Sequence, residues 1–295
     1  MLIVSYNCAG ALRKCLASLE ASVDRDQLEI IVVDNGSVDG SAEITAEFPQ
    51  VVLLKLPRNF GFVKALNIGM RTAKAEFYFY LSPYVEVLPD TVSALAARLN
   101  EQPDAVAVCP LLTTPEGRPE PELYTLPDGQ TASAEARACA HEPAHTPDLN
   151  QEKLAVEFAG LGAYMVRSYF LKGLRYIDER YAQSWADAEL AIQIRRANRK
   201  ILLYPGIRAI RHADSGELVR SAPAAVRALL ASDWALGASV YAGKHYGFLT
   251  GLNVRLAAIF GALASLVSFS DLHYRFSRFM NLLSGRKVDG TQHVM

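Results

Sequence analysis

A chain of 295 residues with 30 Lys+Arg against 31 Asp+Glu has no global attraction for nucleic acid or any other polyanion, so a basic site has to be local. It is long enough to bury one large α/β core or two unequal ones. Cys8, Cys15, Cys109 and Cys139 are scattered without a CxxC pair, which points to neither a disulfide framework nor a structural zinc site, and the amino terminus MLIVSYN lacks the parts of a secretion signal. The expected setting is a reducing one, inside the cell.

Residues 2–4 are the first predicted strand, ended by Ser5, Tyr6 and Asn7; Leu12, Leu16 and Leu19 then line one face of a helix. The stretch EIIVVDNGSVDGS at 29–41 is the one around which the rest of the chain is organised. Its four β-branched aliphatics at 30–33 do not alternate with polar residues, so they read as a strand buried on both faces, as in a parallel sheet covered by helices. Asp34, Asn35 and Gly36 carry turn chemistry, and Ser37 and Asp39 offer N-caps for a helix over 41–48. A carboxylate at the carboxyl end of a buried parallel strand points into the crevice where open α/β sheets bind ligands. Asp34 is thus the first candidate site residue, with tying down its own turn as an equal alternative.

Residues 51–54 give a third strand, followed by PRNFGFVKALNIGMRTAKAE at 57–76, where Asn59 and Gly61 mark a turn and Ala65, Ile68 and Thr72 repeat at helical spacing. The amino terminus of such a helix presents N–H groups and a positive dipole end, suited to a phosphate. A fourth strand is predicted at 77–81, a helix at 90–100 and a fifth strand at 106–109. This alternation predicts an α/β fold with a doubly wound, mainly parallel sheet.

Between 110 and 148 fall seven of the chain's 14 prolines, with Gly117 and Gly129: a long irregular segment, either a lid over a substrate or a surface insertion. FAGLGAYMVR at 158–167 is a strand approached by a Gly-rich turn. Ser184 and Asp187 resemble a capping box for a helix whose buried stripe is Leu190, Ile194 and Ala197, and strand-like stretches at 201–204 and 207–210 end at His212. At the carboxyl end, the 15 residues 256–270 carry no charge, and Leu256, Ile259, Phe260, Leu263, Leu266 and Val267 share one helical face. A bilayer span needs about 20 apolar residues. With Arg275, Arg278, Arg286 and Lys287 following, the segment reads as a helix lying in a membrane interface. The same stripe also fits a helix packed on the main domain or a homodimer contact.

Several motifs agree in order and spacing: VSYN at 4–7, VVDNGSVDGS at 32–41, NFGFVKALNIG at 59–69, GAYMVR at 162–167, IDERY at 177–181 and the block 185–212. Over residues 2 to about 215 the chain resembles the family 2 glycosyltransferases of the GT-A (Rossmann-like) fold, most of all the bacterial rhamnosyltransferase-type enzymes that build surface polysaccharides. The resemblance implies a nucleotide-sugar-binding half at 1–110, an acceptor-binding and catalytic half of the same domain at 111–245, and a carboxyl-terminal helical extension at 246–295. It places Ser5 and Tyr6 at the base and ribose, Asp34 on the base, and Asn59, Gly61, Lys64 and Asn67 along the ribose and diphosphate of a UDP- or dTDP-type sugar. Lys64 alone equally fits a solvated helix lysine.

The implied reaction transfers the sugar with inversion to a lipid-linked or saccharide acceptor. Asp187 is the matching general base, with helix capping as the alternative; Trp185 and Glu189 fall on the acceptor side, and His212 near metal and diphosphate, where a structural histidine is equally expected. Nucleic acid is not among the implied partners. The expected place of action is the cytoplasm, with a peripheral position on the inner face of the membrane if the carboxyl-terminal helix lies in the interface. Two positions depart from the family pattern. Where the family has an acidic triplet whose last Asp ligates a divalent cation, this chain has Ser82, Pro83 and Tyr84, and a neutral phenol is a poor ligand for Mg²⁺ or Mn²⁺. Glu86 and His212 remain as metal candidates, so a divalent cofactor is expected to be weakly held. Ala186 stands where the family commonly has Glu. These departures keep open a second function, a nucleotide-binding but catalytically impaired homologue acting as an assembly or regulatory partner.

Overall fold

Consecutive branched aliphatics favour strands that bury both faces. In the computed structural model, which describes residues 1–120, 122–144, 147–212, 220–267 and 271–288, β1 (Leu2–Ser5), β2 (Ile30–Asp34), β3 (Val51–Lys55) and β4 (Phe77–Leu81) form a parallel block in the order β3-β2-β1-β4. Neighbours along β2 serve opposite cores. Ile30 and Val32 pack with Leu12, Cys15, Leu16 and Leu19 of α1 (Ala9–Glu20), while Ile31 and Val33 pack with Val63, Leu66 and Met70 of α3 (Phe62–Thr72). Each buried leucine contributes about 1.5–3 kcal/mol of transfer free energy, which holds helices too short to stand alone in water. The short α2 (Ser41–Ile44) and α4 (Thr91–Glu101) complete the amino-terminal half.

The second half is mixed. β10 (Ala163–Arg167) runs antiparallel between β4 and β6 (Ala105–Thr113), β11 (Lys200–Arg211) lies parallel to β6, and β5 (Val85–Val87) and β8 (Leu154–Val156) pair antiparallel with β11, closing a sheet of nine strands among the described residues. β6 and β11 are longer than the sequence pattern predicts. β6 runs through Pro110, opposite Tyr204, and the register slips between Tyr204 and Arg208. A bulge is where a strand tolerates proline, so the two stretches read separately at 201–204 and 207–210 are one strand.

The segment 110–148 is more ordered than its prolines imply. β7 (Leu123–Tyr124) pairs with β9 (Phe158–Ala159), and α5 (Thr131–Ala138) docks on the long α8 (Ala224–Tyr246). Trp234 Nε1 donates to the Glu135 carbonyl at 3.1 Å and the Tyr241 hydroxyl to the Pro127 carbonyl at 3.0 Å. These ties dock residues 122–144 of the segment on α8. Between β10 and α8 lie α6 (Ser168–Gly173) and α7 (Ala186–Arg196).

Two helices follow α8. α9 (Phe248–Ser265) begins upstream of the predicted boundary, includes Arg255, and at 18 residues is long and apolar enough to cross a membrane by length and composition only. Small residues face inward: Gly251, Val254, Ala258 and Ala262 are buried, and a Cβ on Gly251 would lie 2.6 Å from the Gly243 Cα of α8. The larger apolar side chains face outward, with Leu256 at 40%, Phe260 at 62% and Val267 at 82% exposure. Positions 268–270 of the predicted helix lie outside the described residues. The last helix, α10 (Leu272–Ser284), leads to Val288, which is buried.

Candidate functional site

The turns after β1, β2 and β3 interlock through side chains that act as backbone partners. Asn7, at φ 47°, donates its N–H to Ser37 Oγ at 3.0 Å, and its Oδ1 accepts the Val38 N–H at 2.9 Å. Asp34 is fully buried; it accepts from Ser5 Oγ at 3.3 Å and from the Ser37 N–H at 3.2 Å, so it does tie its own turn. Asn35 donates to Asn59 Oδ1 at 2.9 Å and accepts the Phe60 N–H at 2.9 Å, while Asn59 Oδ1 also accepts the Gly61 N–H at 2.8 Å. The predicted caps of α2 are used differently. Gly40, at φ 88°, is the N-cap, and the Asp39 carboxylate accepts the N–H groups of Ala9 and Ser41, both at 3.0 Å, tying α1 to α2.

This network shapes a cradle at the amino end of α3. Gly61 sits at φ 83°, and a Cβ there would lie 2.6 Å from the Val288 carbonyl oxygen and 2.9 Å from that of Ala182. No other residue fits that backbone and that space. Val63 donates its N–H to the Ala182 oxygen at 3.0 Å. Tyr6 is half-buried against Ala182, Leu229 and Val288, and Lys64 is exposed, its Nζ 4.8 Å from the Phe60 ring centre. Asn67 lies elsewhere. It is fully enclosed, donating to the Ile177 carbonyl at 2.8 Å and to Glu179 at 3.1 Å and accepting the Ile177 N–H at 3.1 Å, so its amide ties α3 to the chain before α7 rather than lining a diphosphate.

Beside the β1–α1 turn, β5 brings Glu86 next to the end of β11. His212 Nε2 lies 3.0 Å from Glu86 Oε2, and the His212 N–H bonds the Tyr84 carbonyl at 2.9 Å. Burial, reinforced by the nearby Cys8 and Asp39, pushes the Tyr84 phenol up to about 12, so it stays a neutral donor. Glu86 and His212 are held to each other, and among the described residues no group of three His, Cys, Asp or Glu is placed to hold a metal ion.

Residues 182–185 run from the cradle into α7. Trp185 takes φ 71°, strained for a bulky side chain, and is 1% exposed, its ring held against His141, Trp234 and Tyr241. The predicted capping box does not form. Ser184 Oγ instead donates to Asp233 Oδ2 at 3.3 Å, and Asp187 Oδ1 accepts only the adjacent Ala188 N–H at 2.9 Å, leaving a carboxylate 23% exposed in the first turn of α7. Nearby, burial pushes the Tyr80 phenol well above its usual range, reinforced by the negative charges of Glu122 and Asp187.

Glu189 turns the other way, since residues two apart on a helix do not share a face. It is buried, and accepts from the Tyr181 hydroxyl at 2.9 Å, Gln193 at 2.8 Å and Lys244 at 2.8 Å, with His245 Nε2 at 2.7 Å. Burial opposes its charge, yet His245, Gln193 and Lys244 outweigh that and hold it down to about 2. As placed, Trp185 is enclosed by rings, and Glu189 lines a cavity with Asp178, Gln193 and Lys244. Three buried groups near Asp187 have no counterpart among the sequence candidates: Glu135, His141 and Asp233. Only Asp233 leaves a trace, as the lone charge in the apolar run ALLASDWALGA at 228–238.

A parallel block that ends in interlocked turns, and a helix that opens on a half-buried acid, define an α/β protein of the GT-A type. The model of the family "Glycosyl transferase family 2" matches residues 1–154, and the chain belongs to that family. It is 24% identical over 231 residues to the N-acetylglucosaminyl-diphospho-decaprenol L-rhamnosyltransferase of Mycobacterium tuberculosis, covering 72% of this chain and 75% of that one. Among solved structures it is similar to GalNAc-T7 with UDP, GalNAc and Mn²⁺, at TM-score 0.58 and 18% identity over 72% of this chain and 42% of that one. It is also similar to the mannosyltransferase PcManGT from Pyrobaculum calidifontis in complex with GDP-Man and Mn²⁺, at TM-score 0.57 and 15% identity over 97% and 87%. At those identities the likeness to the solved structures is one of fold.

Proposed function

We propose that the chain is an inverting glycosyltransferase that moves a sugar from a UDP- or dTDP-type donor to a hydroxyl of a lipid-linked or saccharide acceptor, in cell-surface polysaccharide or glycolipid synthesis at the cytoplasmic face of the membrane. The observation that carries this reading is the 3.0 Å bond from the Val63 N–H to the Ala182 oxygen, because it joins the donor cradle to the five residues that lead to Asp187. Donor and base then share one cleft. In this reading Tyr6 faces the base and ribose, with the fully buried Ser5 and Asp34 holding its turn from beneath, and the exposed Lys64 in the first turn of α3 faces the diphosphate. Asp187 takes the proton of the acceptor hydroxyl as its oxygen bonds to the anomeric carbon. The bond from that carbon to the diphosphate oxygen breaks, and its electron pair leaves on the diphosphate, inverting the centre. A lipid-linked acceptor is supported by the name of the mycobacterial relative.

In this reading Tyr84 stands where family members carry a metal-binding Asp, and among the described residues a cation at this loop meets the Glu86–His212 pair; metal binding is thereby weakened, and no step is routed through it. The same substitution favours a second reading, a nucleotide-binding partner without transfer activity. Calorimetry with UDP and dTDP, beside transfer assays across a panel of donor sugars with and without Mn²⁺, separates the two. Asp34→Ala should weaken nucleotide binding by about 1–3 kcal/mol, the range for losing a hydrogen bond to a charged group. Asp187→Asn should lower kcat by about 10²- to 10⁴-fold with nucleotide affinity unchanged. Nucleotide binding without transfer from any donor selects the second reading, and absence of nucleotide binding removes both.

A further inference from the structure

Asp187 does not stand alone. His141, just beyond α5, is 7% exposed; its Nδ1 lies 2.7 Å from Glu135 Oε2, and Glu135 is itself fixed by the Glu142 N–H on Oε1 at 3.1 Å. The other ring nitrogen, Nε2, has no hydrogen-bond partner and lies 3.6 Å from Asp187 Oδ1. Rings pack around the imidazole, with centroids at 4.7 Å for Trp234, 4.8 Å for Phe158 and Trp185, and 5.6 Å for Tyr124. A buried polar nitrogen without a partner is costly, and a cage of rings offers it nothing except the carboxylate it faces.

Resting on the glycosyl-transfer reading, we propose that His141 is a positioning residue for the base: Glu135 orients the ring through Nδ1, and the Nε2–H holds Asp187 through Oδ1, leaving Oδ2 for the acceptor hydroxyl. The Ala188 N–H falls on the same Oδ1, so both tethers act on one oxygen. Catalytic hydrogen bonds are often long before substrate arrives, and closing from 3.6 Å to bonding distance needs only a small rotation of either side chain. The charge state agrees with the geometry. Burial disfavours the imidazolium, but Asp187 and Glu135 outweigh burial and carry His141 up to about 9. Of the elements packed on the ring, α5 supplies Glu135, α7 supplies Asp187 and β7 supplies the Tyr124 phenol, while β9 and α8 present the uncharged Phe158 and Trp234. A fixed cation at this point also offsets repulsion between Asp187 and the donor diphosphate.

The contact can be read without activity. In ¹⁵N imidazole spectra of the full chain, with His141 assigned by its loss in His141→Gln, the ring should stay protonated through neutral pH. Asp187→Asn should lower its titration by about 1 unit or more, the effect of removing a neighbouring opposite charge. In transfer assays, His141→Gln and Glu135→Gln should lower kcat by about 10- to 100-fold with donor KM unchanged, the cost of a misplaced catalytic group, and should alter the alkaline limb of the pH profile. Glu135→Gln, which keeps the imidazole in its cage, carries the kinetic arm if His141→Gln does not fold. A His141 titration identical in Asp187→Asn and wild type overturns the contact, and a folded His141→Gln enzyme with wild-type kcat overturns the role. A wild type without transfer removes the transfer reading and this role with it, whatever the titration shows.

Discussion

Tyr84 is the side chain on which the two proposed functions divide. Its phenol stays protonated because burial and the nearby Cys8 and Asp39 push it up to about 12, so at neutral pH it brings no charge to the loop that holds Glu86 and His212. Replacing it with a carboxylate would complete a set of three donors of the kind hard divalent ions take. Tyr84→Asp should therefore tighten Mn²⁺ binding in the presence of UDP, measured by calorimetry, and should raise metal-stimulated transfer. Wild-type protein that binds Mn²⁺ as tightly as the variant would sink the idea. Residues of this kind divide by how far their partners lie along the chain. Asp34 and Gly61 are legible because turn chemistry is local, and the structure puts both at interlocked turns. Asn67 fits the same motif in spacing, but its amide is taken by Ile177 and Glu179, remote in sequence, and no local pattern carries that. His141 is hidden for the same reason, since its meaning depends on Asp187.

Helices α7 and α8 are clamped by a buried charge cluster, and the clamp is a stability device with a defined pH window. Glu189 has an ordinary value of 4.5 and is held down to about 2 in the folded chain, where burial opposes the charge but His245, Gln193 and Lys244 outweigh it. A lowered folded-state value means that the stabilisation is complete above about pH 4.5 and is lost as pH falls toward 2. Its size is on the order of 3 kcal/mol. Urea unfolding of the wild type should weaken across that window, whereas Glu189→Gln should be less stable at neutral pH and flatter below it. An acid transition that overlays the wild type would place the labile charge elsewhere. The start of α7 shows what sequence reading reaches at this scale. The helix and its first-turn acid are legible, but the cap is a strained Trp185 fixed by tertiary packing, which no capping pattern encodes. α8 escapes the sequence reading altogether, because buried residues fall on several of its faces and leave no one-sided stripe.

Across the whole molecule, the parallel block comes from unbroken aliphatic runs, while the mixed half depends on β10 entering between β4 and β6, a long-range pairing that periodicity does not show. The carboxyl-terminal surface is where the structure changes an expectation most. On α9, Leu249, Leu252, Leu256, Phe260 and Leu263 recur every three or four residues and are exposed, and on α10 Leu272, Phe276, Met280 and Leu283 do the same. Exposed stripes of this kind mark contact with a membrane or another chain. Three of the four cations expected to meet headgroups bond within the protein, while Arg286 is exposed. Arg275 donates to the Ser265 carbonyl at 2.8 Å, Arg278 lies 4.0 Å from Cys139 Sγ, and Lys287 donates to the Arg180 carbonyl at 2.6 Å.

That arrangement sets the balance of forces at a bilayer. A cation near an anionic surface contributes about 1 kcal/mol and is screened by salt, whereas apolar burial contributes about 25 cal/mol per Å² and is not. With three of these cations bonded within the protein, it should sediment with neutral vesicles nearly as well as with anionic ones, and high salt should release little of it. Deleting everything after α8 is a poor test, because it would also strip Val288 from the Gly61 cradle. The combined variant Leu256→Ser, Phe260→Ser and Phe276→Ser alters only exposed side chains, and should abolish vesicle binding while leaving UDP affinity unchanged. If instead the wild type ignores vesicles and sediments as a dimer that the triple variant splits into monomers, the two stripes are a contact between copies of the chain and the acceptor is met without a membrane.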